Sequence, residues 1–121
     1  EMCIRDRTKE AAFLLHQATE RFYHCLFLVR TLYSPKSHNL NRLRDLAEEL
    51  EPSLKAVWPR ETRFEKRCYA LLRDAYVKAR YSRSYRITEE ELDWIAQRVT
   101  LLQTLVRQAC ESRIETLAKA A

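Results

Sequence analysis

Lys66, Tyr69, Arg73, Tyr76 and Arg80 follow one another at intervals of three, four, three and four residues. On a helix that spacing places all five on one strip, alternating cations with aromatic rings. Guanidinium groups grip phosphate bidentately and tyrosine rings offer stacking faces to bases, so the strip suits a nucleotide or single-stranded nucleic acid. Tyr81, Arg83, Tyr85 and Arg86 carry the same composition into the following loop. The competing reading is structural: the rings pack at the edge of a core, and the arginine stems snorkel out to carboxylates on the last helix.

Lys36 and His38 form a second candidate. They stand where a helix begins, and a helix N-terminus attracts phosphate; His38 serves equally well as a plain loop or capping residue. His16, Glu20 and His24, four residues apart, could direct three metal ligands into one arc. No fourth ligand accompanies them, so an ordinary polar helix face is the stronger reading and no metal or other cofactor is expected beyond a bound nucleotide. The sequence has no Gly-rich phosphate loop, no Ser-His-Asp set and no metal-spaced cysteine pair.

The charge balance points the same way. The chain of 121 residues carries a net charge of +5. Residues 60–86 hold nine Arg and Lys against three acids, whereas residues 87–121 hold more acids than bases. The basic character therefore belongs to the third helix and its loop, not to the whole surface. Cys3, Cys25, Cys68 and Cys110 are widely spaced, and at least three fall on apolar stripes. They read as buried, reduced thiols in a cytoplasmic protein. No apolar run reaches the roughly 20 residues needed to cross a bilayer, so no membrane association is expected.

The elements that must position these residues are helical. There is no Gly and there are three Pro, a composition that suits helices and starves hairpins. The spacing predicts an all-α, antiparallel up-and-down bundle of four helices, at about 8–33, 38–50, 62–81 and 88–118, forming one domain from residue 8 to 121. The first helix is expected to be central, with Thr8 as its N-cap and Ala11, Leu15, Ala18, Phe22, Cys25, Val29 and Leu32 as its core seam. His16, Gln17, Glu20, Arg21 and His24 would then lie on the opposite face. Ser34-Pro35 ends it, and the short turn SPKSH predicts an antiparallel return. Leu54, Val57 and Trp58 pin an irregular strap to the bundle. Thr62 with Glu65, and Thr88 with Glu91, are capping boxes that open the third and fourth helices. Residues 1–7, EMCIRDR, read as a non-native or disordered leader.

Three blocks, AAFLLHQATERFYHCLFLV, SPKSHNLNRLRDLAEEL and LLRDAYVKARYSRSYRITEEEL, together resemble the HEPN family (higher eukaryotes and prokaryotes nucleotide-binding). The likeness covers about residues 9–110 and is closest to HEPN domains that accompany minimal nucleotidyltransferases. The resemblance implies a helical bundle lacking the family's first helix, a homodimer, and nucleotide or RNA binding at a groove. It also implies a nucleotidyltransferase partner in cis or in trans, in a toxin–antitoxin-like or nucleotide-transfer system of prokaryotic type. Gln17, Glu20 and Arg21 match the polar part of the family's central-helix motif and, with His16, would either face that groove or only brace neighbouring helices. Ribonucleases of the family carry an Arg followed four to six residues later by His. Here Arg30 to His38 is too long and Arg21 to His24 too short, which favours binding over cleavage. The alternatives are a dimerisation module that meets an acidic partner and, behind it, a ribonuclease using His38 as its base.

Overall fold

A computed structural model describes residues 4–120 of the chain. It contains α1 (Ile4–Thr31), α2 (Leu40–Leu50), α3 (Arg63–Tyr81) and α4 (Glu89–Ala120), with a 3-10 turn at Pro52–Ala56 between α2 and α3. The described residues contain no strand, and the all-α bundle matches the sequence expectation. Helix starts are where the capping chemistry puts them. Asn39 Oδ1 accepts from the Arg42 amide at 3.2 Å. Thr62 and Glu65 exchange reciprocal bonds of 3.0 and 3.1 Å, and Thr88 and Glu91 exchange bonds of 2.8 and 3.1 Å. Thr8 is not a cap: α1 begins at Ile4, and Thr8 is buried within it. Cys3 lies outside the described residues.

Helix α1 packs against α2, α3 and α4, so it is the central rod. Its inward row differs from the expected one. Ala12, His16, Thr19, Glu20, Tyr23, Leu26 and Phe27 are buried. Ala11, Leu15, Ala18, Phe22 and Val29 lie one residue round the helix and are half-buried, while Cys25 and Leu32 are exposed. The interior row contains four polar residues, so hydrophobicity alone selects the neighbouring stripe. Thr19 satisfies itself by donating to the Leu15 carbonyl at 2.8 Å, and Tyr23 accepts from Trp58 Nε1 at 2.9 Å.

The connection from α1 to α2 also departs from expectation. Leu32 ends α1 with φ of 62°, its amide bonding the Leu28 carbonyl at 3.1 Å. That left-handed cap position usually falls to Gly, and a leucine there costs about 1 kcal/mol. Pro35 disfavours helical geometry at Ser34, and no helix forms between Leu32 and Asn39. Ser34 pairs with His24 of α1, and further on His38 pairs with Glu20, so the segment runs back down α1. Helix α2 then climbs in the same direction as α1, and its far end meets Arg30, which bonds Glu51 at 3.1 Å and the Leu50 carbonyl at 3.3 Å. SPKSH is therefore a return path rather than a turn, and α2 runs parallel to α1.

Leu54, Val57 and Trp58 are buried, so the strap is pinned as expected. A buried Arg44 on α2 secures it, donating to Glu48 at 2.8 Å and to the Trp58 carbonyl at 3.1 Å. Removing the acceptor of Trp58 Nε1 should expose the logic of this core. Tyr23→Phe leaves a buried donor unsatisfied and is expected to lower the unfolding free energy by about 1–3 kcal/mol. Tyr23→Phe combined with Trp58→Phe should lose less than the sum of the two single changes when all are compared by urea denaturation.

A candidate basic groove between the second and third helices

Asn41 and Asp45 lie one turn apart on α2; Lys66, Tyr69 and Arg73 lie on the facing side of α3. With Arg60, at the end of the strap, they line an open groove of about 370 Å³. Three cations thus converge around one lining carboxylate, and Lys66, Arg60 and Arg73 are all exposed to solvent. The groove exists because α2 enters from the level of Glu20, which sets Asn41 beside Tyr69. The Tyr69 hydroxyl donates to Asn41 Oδ1 at 2.8 Å.

The strip of α3 divides at this point. Tyr69 is buried, its ring 4.6 Å from the Arg44 guanidinium and 5.3 Å from the Trp58 ring. Tyr76 is half-buried, between Phe13 at 5.9 Å and His38 at 4.6 Å, both stacked on it. Neither ring therefore offers a free face to a base, and the expectation of aromatic stacking at these two positions is corrected. A tyrosine places its ring in the core and its hydroxyl at the edge, whereas arginine and lysine extend past the same edge into water. Arg80 lies in a second groove, of about 550 Å³, with Lys9, Glu10, Phe13, Gln17 and Ala79. Its guanidinium sits 4.9 Å from the Phe13 ring and 5.3 Å from that of Tyr81, which is 73% exposed. Lys36 and Arg21 are exposed, on the return segment and on α1 respectively.

The cations differ in how they are held. Arg73 donates to Asp74 at 3.0 Å, which pushes the guanidinium's proton affinity up. Burial would raise the Asp74 carboxyl, but the hydrogen bond and charge of Arg73, aided by Lys78, bring it below the usual carboxylate value. Both partners are partly exposed, so the pair is weak and competes poorly with a phosphate. Arg67 is tied instead to Glu91 on α4, at 2.7 Å, as the structural reading of the basic residues anticipates.

A further polar cluster is one that sequence spacing placed on the wrong side of α1. His16 and Glu20 face the interior. His38 Nδ1 lies 2.9 and 3.0 Å from the two Glu20 oxygens. His16 Nδ1 is 3.6 Å from Glu20, its ring 5.4 Å from that of Tyr76. His24 turns away to Ser34, so the three residues do not converge. Among the described residues no group of three His, Cys, Asp or Glu is placed to hold a metal ion. Asn41, Asp45, Arg60 and Phe13 are site residues that spacing on α3 could not reveal. The one available signal was the i, i+4 relation of Asn41 and Asp45 on α2. Cys68 and Cys110 are buried, and burial raises both thiols to about 11; Cys25, expected in the core, is exposed on α1 next to Cys110.

The four helices, with a polar inward row on α1 and a basic groove between α2 and α3, define an all-α helical bundle. The model of the HEPN domain matches residues 1–109, and the chain belongs to that family of nucleotide- and RNA-binding modules. No curated protein matches it. No helix among the described residues is long and apolar enough to cross a membrane.

His16 yields a pH prediction. Burial lowers its pKa below 6.5, Glu20 partly opposing and His38 assisting, and neither ring nitrogen has a hydrogen-bond partner among the described residues. The unfolded chain then binds more protons at this position than the folded one, so stability falls as pH drops through about 6.5. The urea midpoint should decline between pH 7.5 and 5.5. His16→Leu, which neither titrates nor leaves unpaired nitrogens, should make that decline shallower.

Proposed function

We propose that this chain is a non-catalytic HEPN domain that binds a nucleotide or RNA through the α2–α3 groove and serves a nucleotidyltransferase in cis or in trans. The observation that carries the binding role is the convergence of Arg60, Lys66 and Arg73 on one open groove around a single lining carboxylate. The cations would hold phosphate, and specificity would come from the polar groups around them rather than from stacking on Tyr69 or Tyr76. The missing Arg-to-His spacing supports binding over cleavage. The transferase association is supported by the likeness of the three sequence blocks.

Titration of the protein with ATP, GTP and a short RNA tests the reading, with Arg73→Ala and Lys66→Ala as controls. Each substitution should weaken binding severalfold. If RNA is bound through all three cations, the logarithm of affinity should fall against the logarithm of salt with a slope of about −2. Absence of binding at millimolar nucleotide and micromolar RNA, or binding indifferent to Arg73→Ala, refutes it.

A second reading, a homodimer, is favoured by a separate observation. Leu28 on α1, Leu32 just beyond its end, and Ile114 and Leu117 on α4 are large, apolar and exposed, Leu32 to 88%. The adjacency of Cys25 and Cys110 brings the two helices side by side there. An apolar face shared by two helices is a natural association surface. Light scattering should give twice the chain mass, and Leu28→Glu with Ile114→Glu should return it to one; a monomeric wild type rules the reading out.

A further inference from the structure

Cys25 and Cys110 are distant in the chain, yet their thiols are hydrogen-bonded to each other where α1 packs along α4. Two cysteines can be bridged only when their Cα atoms lie within about 7 Å. A cysteine side chain ends one bond beyond Cβ, so two thiols in contact must come from directly facing positions of the two helices. Cys68, buried on α3, has Glu91 and Arg67 as its charged neighbours instead.

The two thiols differ in access. Cys25 is exposed, whereas Cys110 is 8% exposed. Cys25 is three residues from Leu28 and Cys110 four from Ile114, so the pair belongs to the apolar face shared by α1 and α4. Burial and then the Cys25 thiol push Cys110 up to about 11, with Arg30 working against them. An accessible thiol beside a shielded one is the arrangement in which the first meets a reagent and the second resolves the adduct. Modification of Cys25 removes its own contributions at Cys110 and leaves that of Arg30, so the resolving thiol ionises more readily once the first step has occurred.

We propose that Cys25 and Cys110 form a thiol–disulfide exchange site, at which a small external disulfide such as oxidised glutathione closes an intrachain bridge that clasps α1 to α4. Cys25 loses its proton to solvent, and its thiolate attacks one sulfur of glutathione disulfide, forming a mixed disulfide and expelling one glutathione thiolate. The Cys110 thiolate then attacks Cys25 Sγ, forming the internal bond and expelling the second glutathione. The protein pair is oxidised by two electrons and the glutathione disulfide is reduced by the same two. This reaction is independent of the α2–α3 groove.

The test treats the full chain with excess oxidised glutathione, traps remaining thiols with iodoacetamide and maps tryptic peptides without reduction. Peptide Phe22–Arg30 should be found joined to Gln108–Arg113, while the Cys68 peptide carries only the alkylating group. Dithiothreitol should separate the joined peptides. Cys110→Ser should stop the reaction at a Cys25–glutathione adduct, and Cys25→Ser should leave Cys110 unmodified; if Cys110→Ser impairs folding, Cys110→Ala replaces it. Because the bridge closes a loop spanning most of the chain, it should raise the urea midpoint of the oxidised protein above that of the reduced one. Failure to recover the joined peptides, arrest of the wild type at the glutathione adduct, a bridge between two chains on a non-reducing gel, or a midpoint that does not rise overturns the inference.

Discussion

The Glu20 carboxylate is the anchor of the architecture. It lies on the inward row of the central helix, and a buried carboxylate must find partners or be neutralised. His38 is its hydrogen-bond partner. That contact draws the chain from Leu32 to Asn39 back along α1, where a tighter reversal would have brought α2 down antiparallel. With the origin of α2 set at the level of Glu20, Asn41 comes beside Tyr69 and the groove opens between α2 and α3. Three contacts of the return segment offset the unfavourable left-handed leucine at the end of α1: the Ser34–His24 pair, the His38–Glu20 pair and the stack on Tyr76.

Polar groups hold the other seams of the bundle as well. Arg44 is buried on α2 and ties the strap's backbone to the Tyr69 ring. Glu91 serves twice, closing the capping box of α4 and accepting from Arg67 of α3. Apolar burial favours a bundle but is indifferent to small slides and rotations of its helices. Directional bonds of this kind have one geometry in which they are satisfied, and they fix which faces of α1, α2 and α3 meet. The same bonds place the polar and charged side chains of the groove, so the features that define the packing also define the candidate site.

The division of the α3 strip comes from side-chain anatomy. Tyrosine, lysine and arginine at a helix edge occupy the same angular position but end at different distances from the axis. Rings settle against Trp58, Phe13 and His38, and charged tips pass beyond them. What spacing presents as one alternating surface becomes, after packing, an aromatic layer beneath a cationic one. Arg73 and Arg80, two turns apart on the same strip, consequently face separate grooves, because α2 flanks the first and α1 the second.

Local chemistry in the sequence determined the helices, their caps, the pinned strap and the concentration of positive charge on α3. Each depends on residues within a few positions of one another: a missing glycine, a Thr-x-x-Glu pair, a proline. Tertiary structure alone decided which row of α1 faces inward, the direction of α2 and the partners of the α3 rings. Those outcomes turn on contacts between residues distant in the chain, such as Glu20 with His38 and Tyr23 with Trp58. An interior row containing histidine, threonine, glutamate and tyrosine looks like a surface until the groups that satisfy it are in place. The physical reason is that burial of a polar side chain depends on its partner, and the partner is set by the fold rather than by the neighbouring sequence.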